Sequence, residues 1–146
     1  MSQVFVRTEE GFRTSIHIRT HTLFADETLE DGGADTAPTP PEMLLGALGA
    51  CMCMTTEMYA RRKNWPLEAV QIALELERYN KDDYPTYLGA SPFVTEIRYK
   101  IEFLGPLSPE QITRLSEIAH KCPVHRILEH PTFIVEGLRG AEVKEG

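Results

Sequence analysis

Hydrophobic and polar positions alternate at the start of the chain. Val4 and Val6, then Phe12, Ile16 and Ile18, fall on either side of Glu9-Glu10-Gly11, which predicts a β-hairpin, and a third short strand is expected over His21 to Ala25. Asp26 to Thr39 carries Gly32-Gly33 and several acids and reads as a surface loop. Thr39-Pro40-Pro41-Glu42 then combines an N-cap threonine, a proline at the first helical position and a glutamate at the third, a capping box. The helix it opens should run from Pro40 to about Lys63, because Ala, Leu, Met and Glu dominate until Pro66. It is apolar on nearly every side until Thr55, so it should be buried on every side, and a partner copy is the natural source of the missing cover.

The period then changes to two. Val70 to Arg78 and Val94 to Leu104 alternate and should pair antiparallel across the loop Tyr79 to Phe93. Ser108-Pro109-Glu110-Gln111 opens a second helix by another capping box, with Ile112, Leu115, Ile118 and Ala119 on one face, ending at Cys122-Pro123. A short turn or helix, Pro123 to Leu128 or Glu129, precedes an expected last strand, Thr132 to Leu138.

With 146 residues and 42% hydrophobic content, one domain over residues 1–146 is expected. The net charge of -7 is spread along the chain without any block of like charge, which argues against a nucleic-acid partner. Met43 to Met54 is too short and too rich in Gly and Ala for a bilayer span, and Met1 to Gly11 lacks a signal-peptide core. A soluble, unexported, cytoplasmic protein is expected. Three cysteines do not make a secreted disulfide scaffold and fit intracellular redox chemistry better.

Cys51 sits mid-helix among Ala47, Leu48, Met54 and Thr55, where it is either a core cysteine or a thiol in an apolar pocket. Cys53 lies about 200° further round the helix and reads as core packing. Pro123 puts Cys122 at the N-cap of a new turn, where helix amides, Lys121 and Arg126 should lower its pKa; the bland alternative is a cysteine that merely ends a helix. Two lone thiols about seventy residues apart suit a peroxide-attacking sulfur and a second one that resolves its sulfenic acid. A zinc site from His120, Cys122, His125 and His130 competes, but lacks a second cysteine pair. A cysteine hydrolase would need free backbone amides beside Cys51, which mid-helix placement denies it. Glu42 is explained by its capping box, and on one helix it falls roughly opposite Cys51. No resident metal or cofactor is expected.

Pro40-Pro41-Glu42-Met43-Leu44-Leu45-Gly46-Ala47-Leu48-Gly49-Ala50-Cys51 resembles the P-x-E-L-L-x-A-L-x-x-C helix of OsmC and Ohr-like proteins, and Lys121-Cys122-Pro123-Val124-His125 resembles their C-P-V resolving-cysteine motif. His21 to Glu27, Gly32-Gly33 and Met58 to Glu68 look more like an OsmC-like branch than the founding enzymes. The resemblance implies an α+β fold with antiparallel β-sheets packed on two central helices, in an intertwined homodimer. It implies a thiol peroxidase that reduces small organic hydroperoxides in oxidative or osmotic stress defence and is recycled by an external dithiol reductant. Cys51 would be the peroxidatic thiolate, Cys122 the resolving thiol and Glu42 a carboxylate of the site's polar network. Leu44, Leu48 and Met54 would form an apolar wall. The founding members' thiolate-holding arginine has no clear counterpart: neither Arg13 nor Arg19 falls into its pattern, and His21 or a partner's cation could take the role. The alternative is a non-catalytic OsmC-fold binding protein with idle thiols.

Overall fold

The computed structural model describes residues 3–138. The chain groups into two compact units, residues 1–44 with 133–146 and residues 45–132, and passes between them within its longest helix.

In the first unit, β1 (Val4–Thr8), β2 (Thr14–Ile18) and β3 (His21–Ala25) form an antiparallel sheet in that order, with Val6 opposite Ile16 and Ile16 opposite Leu23. Gly11, at φ 63°, supplies the left-handed residue of the β1–β2 turn. The loop that follows is organised by buried Asp26. Its carboxylate accepts from the Thr36 hydroxyl at 2.6 Å, the Thr36 amide at 3.0 Å and the Glu27 amide at 2.8 Å. These bonds, led by the Thr36 hydroxyl, hold the Asp26 carboxyl below its usual pKa.

α1 spans Pro40–Arg62, close to the range the prolines predict. Glu42 Oε2 accepts from the Thr39 amide at 2.8 Å, the return half of the expected capping box. The helix ends where Asn64 turns left-handed at φ 54° and Trp65 N–H donates to Ala60 C=O at 2.9 Å, just before Pro66.

In the second unit, β4 (Ala69–Asn80) and β5 (Phe93–Leu104) pair antiparallel, each slightly longer than its alternation predicts. Ile72 faces Ile101, Leu74 faces Tyr99 and Leu76 faces Ile97. Ile72, Leu74, Ile97, Tyr99 and Ile101 pack against a core of Leu48, Met52, Ala119 and Cys122. α2 (Pro109–Ala119) starts with both halves of a Ser108–Gln111 capping box, and α3 (Pro123–Glu129) follows directly with Cys122 as its N-cap.

Two expectations change. α1 is not buried on every side: Leu48, Met52, Thr56 and Ala60, four residues apart, form one buried stripe, whereas Met54 and Met58 are exposed. Within one chain a two-stranded sheet can cover only one side of a helix. Thr132 to Leu138 is not a strand. Phe133, Ile134 and Val135 are almost fully exposed, and with no neighbouring strand among the described residues their β-forming side chains have no ladder to join.

By length and composition α1 could cross a bilayer. Its buried stripe is nonetheless part of the core just described.

A Cβ built on Gly49 would stand 2.8 Å from Leu74 Cδ1 and 3.2 Å from Ile72 Cγ2, so the glycine sets how closely α1 approaches β4. Gly49→Val should therefore lower unfolding free energy by about 1–3 kcal/mol through overpacking. Chemical denaturation measures it, and a variant as stable as the parent would show that the contact yields freely.

Candidate active site

The second unit brings Cys51 and Cys122 together. Cys51, half-buried on α1, packs against the core cluster to which Cys122 belongs, close enough to influence the ionisation of that thiol. Both are free thiols. Cys122 is fully buried and caps α3, its Sγ accepting from the His125 amide at 3.3 Å.

That N-cap position was expected to lower the Cys122 pKa, and the structure corrects the expectation. Burial pushes the thiol up, and the nearby Cys51 adds to the rise, against the lowering influence of the His125 and Val124 amides. Desolvation outweighs the cap because the sulfur sits wholly inside an apolar cluster, where a thiolate loses its hydration. Cys53 is half-buried and outside the core cluster; its S–H points to the Val70 carbonyl at 3.9 Å and burial raises its pKa.

Glu42 is bonded to Thr39 at its own helix start, in the other unit. Arg13, also there, donates to Thr36 Oγ1 at 2.8 Å and lies 4.1 Å over the Phe24 ring. Of the expected apolar wall, Leu48 turns into the core and Met54 lies open. Further along α1, Thr55, Met58, Tyr59, Arg62, Ile118 and Lys121 line an open groove of about 520 Å³ with an apolar floor and a basic rim. Thr55 lies one turn beyond Cys51, and Lys121 immediately precedes Cys122.

Sequence reasoning missed the polar company of Cys122. His120, exposed at the end of α2, hydrogen-bonds through Nε2 to the Tyr99 hydroxyl, and its ring centroid lies 5.4 Å from that of His125. His125 Nδ1 lies 3.0 Å from Glu129 Oε2. The i, i+4 spacing of His125 and Glu129 could have signalled that pair; the approach of Tyr99 from β5 could not have been read. Among the described residues, no group of three or more His, Cys, Asp or Glu side chains converges as a metal site. The zinc reading of His120, Cys122, His125 and His130 therefore has no geometry behind it.

The second unit therefore holds one half-open and one buried thiol in a single α+β core. The sequence matches the OsmC-like protein family over residues 32–136, and the chain belongs to that family. Its fold is similar to that of an OsmC-like protein from Mycoplasma pneumoniae, at TM-score 0.70 and 18% identity, covering 88% of this chain and 87% of the other. It is also similar to an organic hydroperoxide resistance protein OsmC from Legionella pneumophila, at TM-score 0.62 and 18% identity, covering 86% and 88%. The organic hydroperoxide resistance protein OhrB of Bacillus subtilis aligns at TM-score 0.58 and 16% identity over 85% and 88%. No curated protein matches the sequence.

The three thiols should differ in reactivity. Raised pKa values keep Cys122 and Cys53 neutral at neutral pH, with thiolate appearing only as pH rises, so brief alkylation near neutrality should label Cys51 first. Limited peroxide should consume Cys51 and Cys122 and leave Cys53 free. Peptide mass spectrometry reads both outcomes, and Cys53 in the main intramolecular disulfide would overturn the assignment.

Proposed function

We propose that the chain is a thiol peroxidase that reduces organic hydroperoxides through Cys51 and Cys122. The observation that carries this reading is the packing of a half-open thiol, Cys51, against the core cluster that holds the fully buried Cys122. The Cys51 thiolate attacks the distal peroxide oxygen; the O–O bond breaks, the alcohol leaves and a sulfenic acid remains. Cys122 then displaces the hydroxyl as water and closes a disulfide, which an external dithiol reduces by exchange. The names of the Legionella pneumophila and Bacillus subtilis proteins support hydroperoxides as the substrate class. The apolar floor of the groove beyond Cys51 favours organic hydroperoxides over hydrogen peroxide. Protection against oxidative or osmotic stress in the cytoplasm follows as the role.

Turnover of cumene hydroperoxide with a dithiol should vanish in Cys51→Ser. A parent protein without turnover would leave an OsmC-fold binding protein with idle thiols as the better reading. Glu42 tests the polar network separately. Glu42→Gln keeps an acceptor for the Thr39 amide, so stability should change by well under about 1 kcal/mol. It removes the charge that would orient a donor or cation toward Cys51, so activity should drop about tenfold or more, about 1.4 kcal/mol in the barrier. Full activity with unchanged stability would make Glu42 a helix cap alone.

The functional unit is proposed to be a homodimer, because Met54 and Met58 on α1 and Phe133, Ile134 and Val135 are left exposed by a single chain. Light scattering at low micromolar concentration should report a dimer. A stable folded monomer would refute it.

A further inference from the structure

Closing the disulfide requires Cys122 to lose a proton. The step joins Cys122 Sγ to Cys51 Sγ and breaks the sulfenic S–O bond; Cys122 sulfur is oxidised, Cys51 sulfur is reduced, and hydroxide leaves with a proton as water. Cys122 is the fully buried thiol of the pair, and the thiolate is the nucleophile, so the pocket needs a proton acceptor.

The groups around Cys122 come from every element packed there. Cys51 of α1 carries the oxygen at this stage and cannot serve. Tyr99 of β5 lies within the electrostatic reach of Cys122 and Glu129, and burial keeps its phenol neutral. His120, at the end of α2, has Nε2 engaged with Tyr99. Glu129 of α3 is largely in water. Lys121 and Arg126, adjacent in sequence, are cations. His125 remains. Its amide already touches Cys122 Sγ, its side chain is 14% exposed, and Nδ1 is buried without an aligned hydrogen bond although Glu129 Oε2 is 3.0 Å away. A buried, unsatisfied imidazole nitrogen is uncommon and calls for a reason.

We propose that His125, its ring held between Glu129 and the His120–Tyr99 pair, takes the proton from Cys122 as the disulfide closes and returns it to the leaving hydroxide. The role rests on Cys122 being the resolving thiol of the proposed peroxidase, but its test does not require peroxide. In a Cys53→Ala background, a chromogenic aromatic disulfide forms a mixed disulfide at Cys51, and release of the second coloured thiolate times the attack by Cys122. In His125→Gln that rate should fall about tenfold or more near neutrality, within the usual span of general-base assistance. Glu129→Gln, at an exposed carboxylate 3.0 Å from His125 Nδ1, should leave the fold intact and slow the same step to a smaller extent. A His125→Gln rate equal to the parent's would overturn the proposal. Should His125→Gln fail to fold, an unchanged rate in Glu129→Gln would overturn it equally. Normal ring closure by the parent without hydroperoxide turnover would count against the peroxidase alone.

Discussion

The seating of α1 on the β4–β5 sheet governs the rest of the candidate site. Gly49 lets the helix backbone come close enough for Leu48 and Met52 to enter the core with Ile72 and Leu74, and the same rotation of the helix decides which way Cys51 faces. Cys122 reaches that core from the other direction, because α2 ends at Ala119 and the chain turns sharply into α3 at Pro123. Cys51 lies within α1 and Cys122 in the tight turn from α2 to α3, so each thiol is held by the packing of the helices that carry or flank it.

Two opposing influences act on Cys122, and their balance determines its chemistry. As N-cap it receives the His125 amide, which favours thiolate; as a wholly buried group it loses solvation, which favours thiol. Burial is the larger influence, and the nearby Cys51 acts in the same direction. A thiol held neutral makes a poor first nucleophile but survives as a protected second one. The α3 cap offers Cys122 two amides, of His125 and Val124, whereas the core surrounds the sulfur.

Much of the fold was legible because its boundaries are punctuated locally. Gly11, the Thr39–Glu42 and Ser108–Gln111 boxes, Pro66 and Pro123 each fix a terminus by the geometry of a few residues, and the structure places elements within a residue or two of them. Thr132 to Leu138 was misread because a strand exists only with a neighbour, and β propensity does not supply one. The α1 periodicity was overread in the same way: apolar residues on all sides show what a helix can bury, not what one chain provides to cover it. In the site, the two thiols were identifiable from their motifs, whereas the Tyr99–His120 bond joins β5 to the end of α2, and no local pattern encodes it.

The difference in exposure between the thiols also orders the proposed cycle. The groove beside Thr55 and Met58 begins one turn along α1 from Cys51, which is half-exposed, whereas Cys122 has no exposed surface. If Cys122 were attacked first, the oxidant would have to reach a sulfur buried with Leu48, Met52 and Ala119, and the resulting sulfenic acid would put a new polar group into that apolar cluster. Oxidation at Cys51 instead places the oxygen at the half-open side, where water can solvate it and leave once the disulfide forms. The buried position that makes Cys122 slow to ionise also keeps it from being oxidised out of turn, so the same packing supplies both the delay and the protection that a resolving thiol needs.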